Sequence, residues 1–208
     1  MTRTDVLFEQ LRKQYKENEP ILLSEIKFAS TRQQMKRLTE EGKLKKFDTG
    51  IYYIPKASIF RSGSVLPIES VLNKKYLFDK NERCGYIGGL LFANKIGLTT
   101  QVPMVYEIKT NKATTEYRET RLGNFRIIVR RPYVTINDEN AKVLQFLDLM
   151  KEIVNISELE GTDLTKRLLS YLKISGLDFN ALKPYLSYYP DRIYKNMFEV
   201  GLLNGVFT

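Results

Sequence analysis

The segment over residues 31–41 most constrains the fold, because its start, its end and its apolar face can all be recognised. Ser30 with Gln33 three positions later fits a capping box at a helix N-terminus. Gly42 is suited to the left-handed conformation that ends many helices. The sequence therefore predicts a short, well-delimited helix.

The two sides of this predicted helix differ in chemistry. At about 100° per residue, one side carries Thr31, Met35 and Leu38. The opposite side carries polar and mainly basic residues, namely Gln33, Lys36, Arg37 and Glu40. We expect the first side to pack in a core and the second to face solvent or a ligand.

A hairpin pattern follows the helix. Two short apolar runs, residues 44–47 and 51–54, read as strands, and Asp48-Thr49-Gly50 between them is typical of a tight turn. Lys43, Lys45 and Lys46 lie on or beside the hairpin.

The residues before this segment complete a recognisable order of elements. Residues 4–17 place Leu7, Phe8, Leu11 and Tyr15 on one stripe of a helix. A brief extended pair and a short helix over residues 24–28 follow. This order, a helix, a short helix, a capped helix and a hairpin, is that of a winged helix-turn-helix. We therefore predict such a DNA-binding domain over residues 1–60.

In that geometry the third helix enters the major groove and the hairpin lies near the phosphate backbone. The residues predicted to bind DNA are Ser30, Thr31, Arg32, Gln33, Lys36, Arg37, Lys45 and Lys46. Two other interpretations remain open for the same basic face: a surface that docks another protein, and a solvated helix face without a partner.

The distribution of charge favours a polyanionic partner. The net charge is +9, and residues 1–60 contribute +4 while residues 109–131 contribute +5. The remaining segments are neutral in sum. Concentrated positive charge of this kind is typical of proteins that bind nucleic acid or an acidic protein surface.

Residues 65–208 are predicted to form a mixed α+β domain after a linker at residues 61–64, which makes the fold class α+β. We expect one helix over residues 67–77 and another over residues 85–98, with Gly88, Gly89 and Ala93 allowing close backbone approach. Valine, isoleucine and aromatic residues between positions 102 and 131 predict a small antiparallel sheet of about three strands.

A possible second basic surface lies on or around this sheet. Its residues are Lys109, Lys112, Arg118, Arg121, Arg126, Arg130 and Arg131. A solvated sheet face explains them almost as well as a ligand does, because lysine and arginine also protect edge strands.

The remainder of the chain is predicted to be helical. A helix beginning near Asn137 carries Val143, Leu144, Leu147 and Met150 on one face, and two more helices are indicated over residues 162–174 and 191–203. Aromatic residues are frequent here, and we expect them to pack between helices: Tyr185, Tyr188, Tyr189, Tyr194 and Phe198.

The residue inventory argues against most enzymatic chemistry. The chain has no histidine, which excludes a Ser-His-Asp triad, a Cys-His pair and imidazole ligation of zinc. Gly63-Ser64 is similar to a nucleotidyltransferase motif but lacks the two following acids that hold magnesium. We therefore expect no catalytic residue, no metal and no cofactor.

The sequence also predicts where the protein is found. The start of the chain is polar, no long apolar run occurs, and Cys84 is the single cysteine. These features predict a cytoplasmic protein that does not enter a membrane.

Five segments, in order, resemble the AbiEi family of type IV toxin-antitoxin antitoxins, which are linked to abortive phage infection. They are 'GIYYIP', 'GYIGGLLFANKIGLTTQVPMVYEIKTN', 'FRIIVRRP', 'AKVLQFLDLM' and 'YYPDRIYKNMF'. The resemblance implies a winged helix that binds inverted repeats in its own promoter and represses transcription. It also implies a second domain that counters a nucleotidyltransferase toxin, although relatives of this type are often orphan regulators without a toxin. The reading helix would be residues 31–41 and the wing residues 44–54.

Overall fold

The computed structural model describes residues 2–27, 31–57 and 64–203. The chain divides into two compact units, Met1–Lys75 and Tyr76–Thr208. Helices and separate small sheets occur in both units, so the α+β class predicted from the sequence is confirmed. Ser30, and residues 61–63 of the predicted linker, lie outside the described residues.

The first unit begins with helix α1, Arg3–Gln14, whose N-terminus is closed by a reciprocal cap. The Thr2 hydroxyl accepts from the Asp5 N–H, and the Asp5 carboxylate accepts from the Thr2 N–H at 2.9 Å. Strand β1, Ile21–Leu22, and a 3₁₀ turn, Leu23–Glu25, follow. The turn is shorter than the predicted helix over residues 24–28, and the end of that prediction falls outside the described residues.

Helix α2 spans Thr31–Glu40 and is followed by strands β2, Lys45–Asp48, and β3, Ile51–Tyr53. The three strands form an antiparallel sheet in the order β1-β3-β2, with Gly50 at a φ of 76° in the turn. The predicted helix and hairpin are thus confirmed to within one or two residues. Helix α3, Ile68–Leu72, continues into a π-helical turn, Asn73–Leu77, in which the first unit ends and the second begins.

One hydrophobic core holds α1, α2 and the small sheet together. Its buried members are Leu7, Leu11, Tyr15, Ile21, Met35, Leu38, Leu44 and Ile54. The apolar stripe predicted for α1 and the apolar side predicted for α2 both face this core, because each helix buries its one non-polar side. The opposite side of α2 is consequently left exposed.

The second unit is built around a four-stranded sheet. Its strands are β6, Gly85–Gly88, β7, Val105–Thr110, β8, Tyr117–Leu122, and β9, Phe125–Arg130, in the order β6-β7-β9-β8. β7 and β9 run parallel, and the other pairs are antiparallel. A small ribbon of β4, Phe78–Asp79, and β5, Glu82–Arg83, precedes the sheet.

The prediction of a helix over residues 85–98 was wrong at its start. β6 occupies the first four residues and pairs with β7, and helix α4 begins only at Gly89 and ends at Lys95. The close backbone approach lies at Gly85, where an added Cβ would be 2.6 Å from the Tyr76 carbonyl oxygen, and not at Gly88. The sheet therefore has four strands where about three were expected.

Four helices complete the second unit: α5, Ala141–Ile156, α6, Gly161–Ser175, α7, Phe179–Leu186, and α8, Arg192–Glu199. α5 is the central helix, and Val143, Leu144, Leu147 and Met150 are all buried as predicted. α7 was not predicted, because Pro184 lies inside it. The aromatic packing prediction holds for Tyr189, which is buried, and Tyr185, which is partly buried. It was wrong for Tyr188, Tyr194 and Phe198, which are exposed.

Candidate nucleic-acid interface

Helix α2 presents a polar face that is mostly basic. Arg32, Gln33, Lys36 and Arg37 are exposed, whereas Met35 and Leu38 on the other side are fully buried. The four exposed residues occupy positions i, i+1, i+4 and i+5, which places them in two adjacent rows along the helix. The structure therefore brings together four of the residues predicted from the sequence to bind DNA.

Most of the cations on this face are available to a ligand. Within the described residues, no carboxylate lies within ion-pair distance of Arg32, Arg37 or Lys46. Lys36 lies 3.8 Å from Glu40, measured between Nζ and Oε1, but both side chains are largely exposed. An exposed pair of this kind contributes little in water, so a phosphate could replace Glu40 as the partner of Lys36.

Thr31 and Lys45 are less accessible than the rest of the set. Thr31 is half-buried at the first turn of α2, and Ser30 before it lies outside the described residues. Lys45 is half-buried, because it is paired in the sheet with Tyr53, which is buried. Lys46 is paired with Tyr52 and points to the opposite side of β2. The two hairpin lysines therefore do not share one face of the sheet.

Lys43, beside the hairpin, is neutralised within the first unit. Its ammonium group lies 2.8 Å from Glu41 Oε2 and 3.2 Å from Asp5 Oδ1, and it sits over the Phe8 ring. The hydrogen bond to Glu41 and then that to Asp5 raise the pKa of Lys43. The backbone N–H of Thr2 is the main cause that lowers the pKa of Asp5 to about 2. These contacts fix Lys43 against α1 and remove it from the candidate interface.

One buried polar residue of α2 escaped prediction. Gln34 is buried beside Met35, although its neighbours at positions 32 and 33 are exposed. Helical periodicity could have indicated it, because position 34 lies 100° from position 35 and four residues before Leu38. Gln34 therefore belongs to the buried side of α2 and not to its exposed basic face.

The second predicted basic surface is only partly assembled. Register places Arg121, Arg126 and Arg130 on one face of the β8–β9 pair and Arg118 on the other. Arg126 is held by Glu119, with Nη2 2.7 Å from both carboxylate oxygens, and Arg131 donates to the Thr114 carbonyl. Lys112 donates to the Phe78 carbonyl at 2.6 Å.

Lys109 does not belong to an exposed surface. Its residue is 9% exposed, and its Nζ lies 2.5 Å from Asp148 Oδ1 on helix α5. Placing Lys109 on the second basic surface was therefore wrong, because α5 covers this part of the sheet. The sequence signal for its partner was an aspartate between apolar residues, 'FLDLM'.

Among residues 2–27, 31–57 and 64–203, no group of three or more His, Cys, Asp or Glu side chains is arranged to hold a metal ion. In the same residues no helix is long and apolar enough to cross a membrane.

No family model matches the chain, and no curated protein matches it.

Proposed function

We propose that the first unit is a winged helix-turn-helix domain that binds double-stranded DNA in a sequence-specific manner and represses transcription. The observation that carries the proposal is the exposed basic and amide face of α2 opposite a fully buried apolar face. α2 would be the recognition helix and the β2–β3 hairpin the wing. The element order of the unit supports this assignment, with the 3₁₀ turn at Leu23–Glu25 in the place of the second helix.

The side chains suit the tasks of groove recognition. Arg32, Arg37 and Lys36 can donate to guanine edges or phosphates, and Gln33 can pair with adenine. Residues 32 to 37 span about 7.5 Å of helix axis, which corresponds to about two base-pair steps. Lys46 would contact the phosphate backbone from the wing, and the N–H groups at the start of α2 can do the same.

The proposal is tested by titrating the purified full-length protein against its own upstream region, containing any inverted repeat, and against a scrambled duplex of equal composition. We expect the upstream duplex to bind at least tenfold more tightly at moderate salt, since specific complexes generally exceed non-specific ones by far more. Equal and weak binding to both duplexes would instead favour a winged helix that docks an acidic protein.

Two variants separate base reading from phosphate attraction. Arg37→Ala should weaken the binding free energy for the upstream duplex by about 1–3 kcal/mol, because it removes a candidate base contact. The preference for the upstream duplex over the scrambled one should also fall. Lys46→Ala should weaken binding to both duplexes alike and reduce the salt dependence by about one phosphate contact. Lys13→Ala, an exposed cation on α1, is the matched control and should bind as the unmodified protein does.

We further propose that the protein is the antitoxin of a type IV toxin-antitoxin system. Its resemblance to the AbiEi family is the support for this role, which would consist of autoregulation and neutralisation of a nucleotidyltransferase toxin. A nucleotidyltransferase in the adjacent reading frame that arrests growth when expressed alone, and not when co-expressed with this protein, is the expected result. If no such neighbour exists, the protein is an orphan regulator.

A further inference from the structure

A partly enclosed group of charged side chains lies where α5 crosses the sheet of the second unit. Asp148 on α5 accepts two short hydrogen bonds, from Lys109 Nζ at 2.5 Å to Oδ1 and from the Tyr86 hydroxyl at 2.5 Å to Oδ2. Lys151, one turn later on α5, places its Nζ 3.8 Å from the same Oδ1. Both lysines therefore share one carboxylate oxygen, and the side chains of all three charged residues are at most 16% exposed.

A third cation belongs to the same group. Sheet register places Arg130 of β9 directly beside Lys109 of β7, on the face that α5 covers in part. Within the part of the chain that the structure describes, no carboxylate lies within ion-pair distance of Arg130. Glu119, on the neighbouring strand β8, is already held by Arg126. We call Lys109, Arg130, Asp148 and Lys151 the α5 cluster.

The α5 cluster carries more positive than negative charge. Its three cations face one carboxylate, and a further acid, Glu152, lies 4.0 Å from Lys151 but only 2.7 Å from Arg192. Burial is the main cause that lowers the pKa of Lys109, with Lys151 and Arg130 acting in the same direction and Asp148 opposing them. An excess of like charge in a poorly hydrated place is costly unless an anion compensates it.

Two tyrosine rings flank the cluster at the protein surface. Lys109 and Lys151 lie 4.5 Å and 5.6 Å from the centre of the Tyr133 ring, and the Arg130 guanidinium lies 4.8 Å from that of Tyr117. Both tyrosines are about half exposed, at 50% and 45%. These contacts hold the cations beside rings that reach the protein surface, which is the side from which an anion would approach.

We propose that the α5 cluster binds the phosphate group of a small phosphorylated molecule. Lys151 and Arg130 supply the charge-assisted hydrogen bonds to the phosphate. Lys109 stays paired with Asp148, and its positive charge adds to the electrostatic attraction. Phosphate suits the site because its several oxygens can accept from an ammonium and a guanidinium at once. The lysines are too recessed for the backbone of a duplex, which requires protruding cations. This ligand site is distinct from the proposed DNA surface on α2.

The test uses the full-length protein in a buffer free of phosphate and sulfate, with calorimetric titration of inorganic phosphate, ATP and adenosine. We expect saturable binding of inorganic phosphate or ATP and none of adenosine. Binding of both anions identifies phosphate itself as the ligand chemistry, whereas binding of ATP alone identifies a nucleotide. Absence of binding by both anions, or equal binding of adenosine and ATP, overturns the proposal.

Variants then locate the binding. Lys151→Gln and Arg130→Gln should each weaken it roughly tenfold or more, the loss expected for a hydrogen bond to a charged group. Lys151→Arg should retain it. Lys142→Gln, which changes an exposed lysine on the same helix, should leave the affinity unchanged.

Circular dichroism and thermal unfolding confirm that each variant is folded, and its affinity for the upstream duplex separates this site from the one on α2. Unchanged phosphate binding in both glutamine variants would refute the assignment. Competition between phosphate and duplex DNA that is abolished by these variants would refute it as well, because the cluster would then be a DNA contact.

Discussion

At the scale of single residues, we expect the replacement of Asp148 to lower the free energy of unfolding strongly. It is the only carboxylate within hydrogen-bond distance of Lys109 in the described residues, and it also accepts from Tyr86. Asp148→Asn would leave a buried ammonium without a counter-charge. Breaking such a pair from one side usually costs about 3–5 kcal/mol.

Urea denaturation followed by circular dichroism measures this loss. Asp163→Asn is the control, because it removes an exposed acid from the first turn of α6 and should cost less than about 1 kcal/mol. Similar losses in the two variants would show that Asp148 and Lys109 do not form a buried pair.

Glu158 makes a pH-dependent contribution to stability. Its carboxylate accepts from the Thr100 N–H at 2.8 Å, and hydrogen bonds from Thr100, Thr99 and Gln101 lower its pKa to about 2 from 4.5. Because the pKa is lower in the folded state, the unfolded chain binds the proton first as the solution is acidified. The contribution is therefore complete above about pH 4.5 and is lost as the pH falls towards 2.

Glu158→Gln should remove this dependence. Thermal unfolding from pH 6 to pH 2 is expected to show the unmodified protein more stable than the variant at the upper end. The difference should shrink as the pH falls below about 4.5. A difference that stays constant across the range would exclude the carboxylate as its source.

The prediction of side chains from sequence succeeded where the signal was local. The exposed face of α2 follows from ten consecutive residues with strongly contrasting polarity. Lys109 was misplaced because its partner, Asp148, is 39 residues away in the chain. An isolated lysine in an alternating strand gives no sign that a later helix will cover it.

At the scale of elements, the two glycines at the ends of β6 differ in how closely other backbone atoms approach them. An added Cβ at Gly85 would lie 2.6 Å from the Tyr76 carbonyl oxygen and 2.8 Å from that of Lys109. Both atoms belong to the backbone and cannot move without disturbing the sheet. Gly85→Ala should therefore destabilise the second unit by about 1–3 kcal/mol, the usual range for overpacking.

Gly88→Ala, three residues later in the same strand, is the matched control. Nothing lies within 4 Å of the position of its added Cβ, and its φ of −110° is accessible to alanine. Chemical denaturation should place this variant close to the unmodified protein. If both alanine variants lose equal stability, the close approach at Gly85 does not limit the fold.

β6 also shows why one element was predicted incorrectly. Residues 85–98 contain apolar residues at helical spacing, and this spacing is realised in α4 from Gly89 onwards. The first four residues instead pair with β7, at separations from 19 residues (Gly88 with Glu107) to 25 residues (Gly85 with Thr110). Local periodicity cannot detect such pairing. It also misses the exposure of Tyr194 and Phe198, because the pattern does not show that this side of α8 is left uncovered by the described residues.

At the scale of the whole molecule, the net charge of +9 comes from two segments, residues 1–60 and 109–131. The basic side chains of the two segments differ in how many of them are paired. In the first unit, Arg32, Arg37 and Lys46 are exposed and have no acidic partner among the described residues. In the second unit, several cations are held by carboxylates or by backbone carbonyls. We therefore expect only the first segment to contact DNA.

The salt dependence of DNA binding tests this division. Each neutralised phosphate contributes about −0.9 to the slope of log affinity against log salt concentration. Arg32, Lys36, Arg37 and Lys46 together predict a slope of about −4 for the full-length protein, with a small increase if Lys45 takes part. The combined variant Arg121→Gln, Arg126→Gln and Arg130→Gln should retain this slope. A slope near −6, reduced towards −4 in the combined variant, would instead show that DNA also contacts the sheet of the second unit.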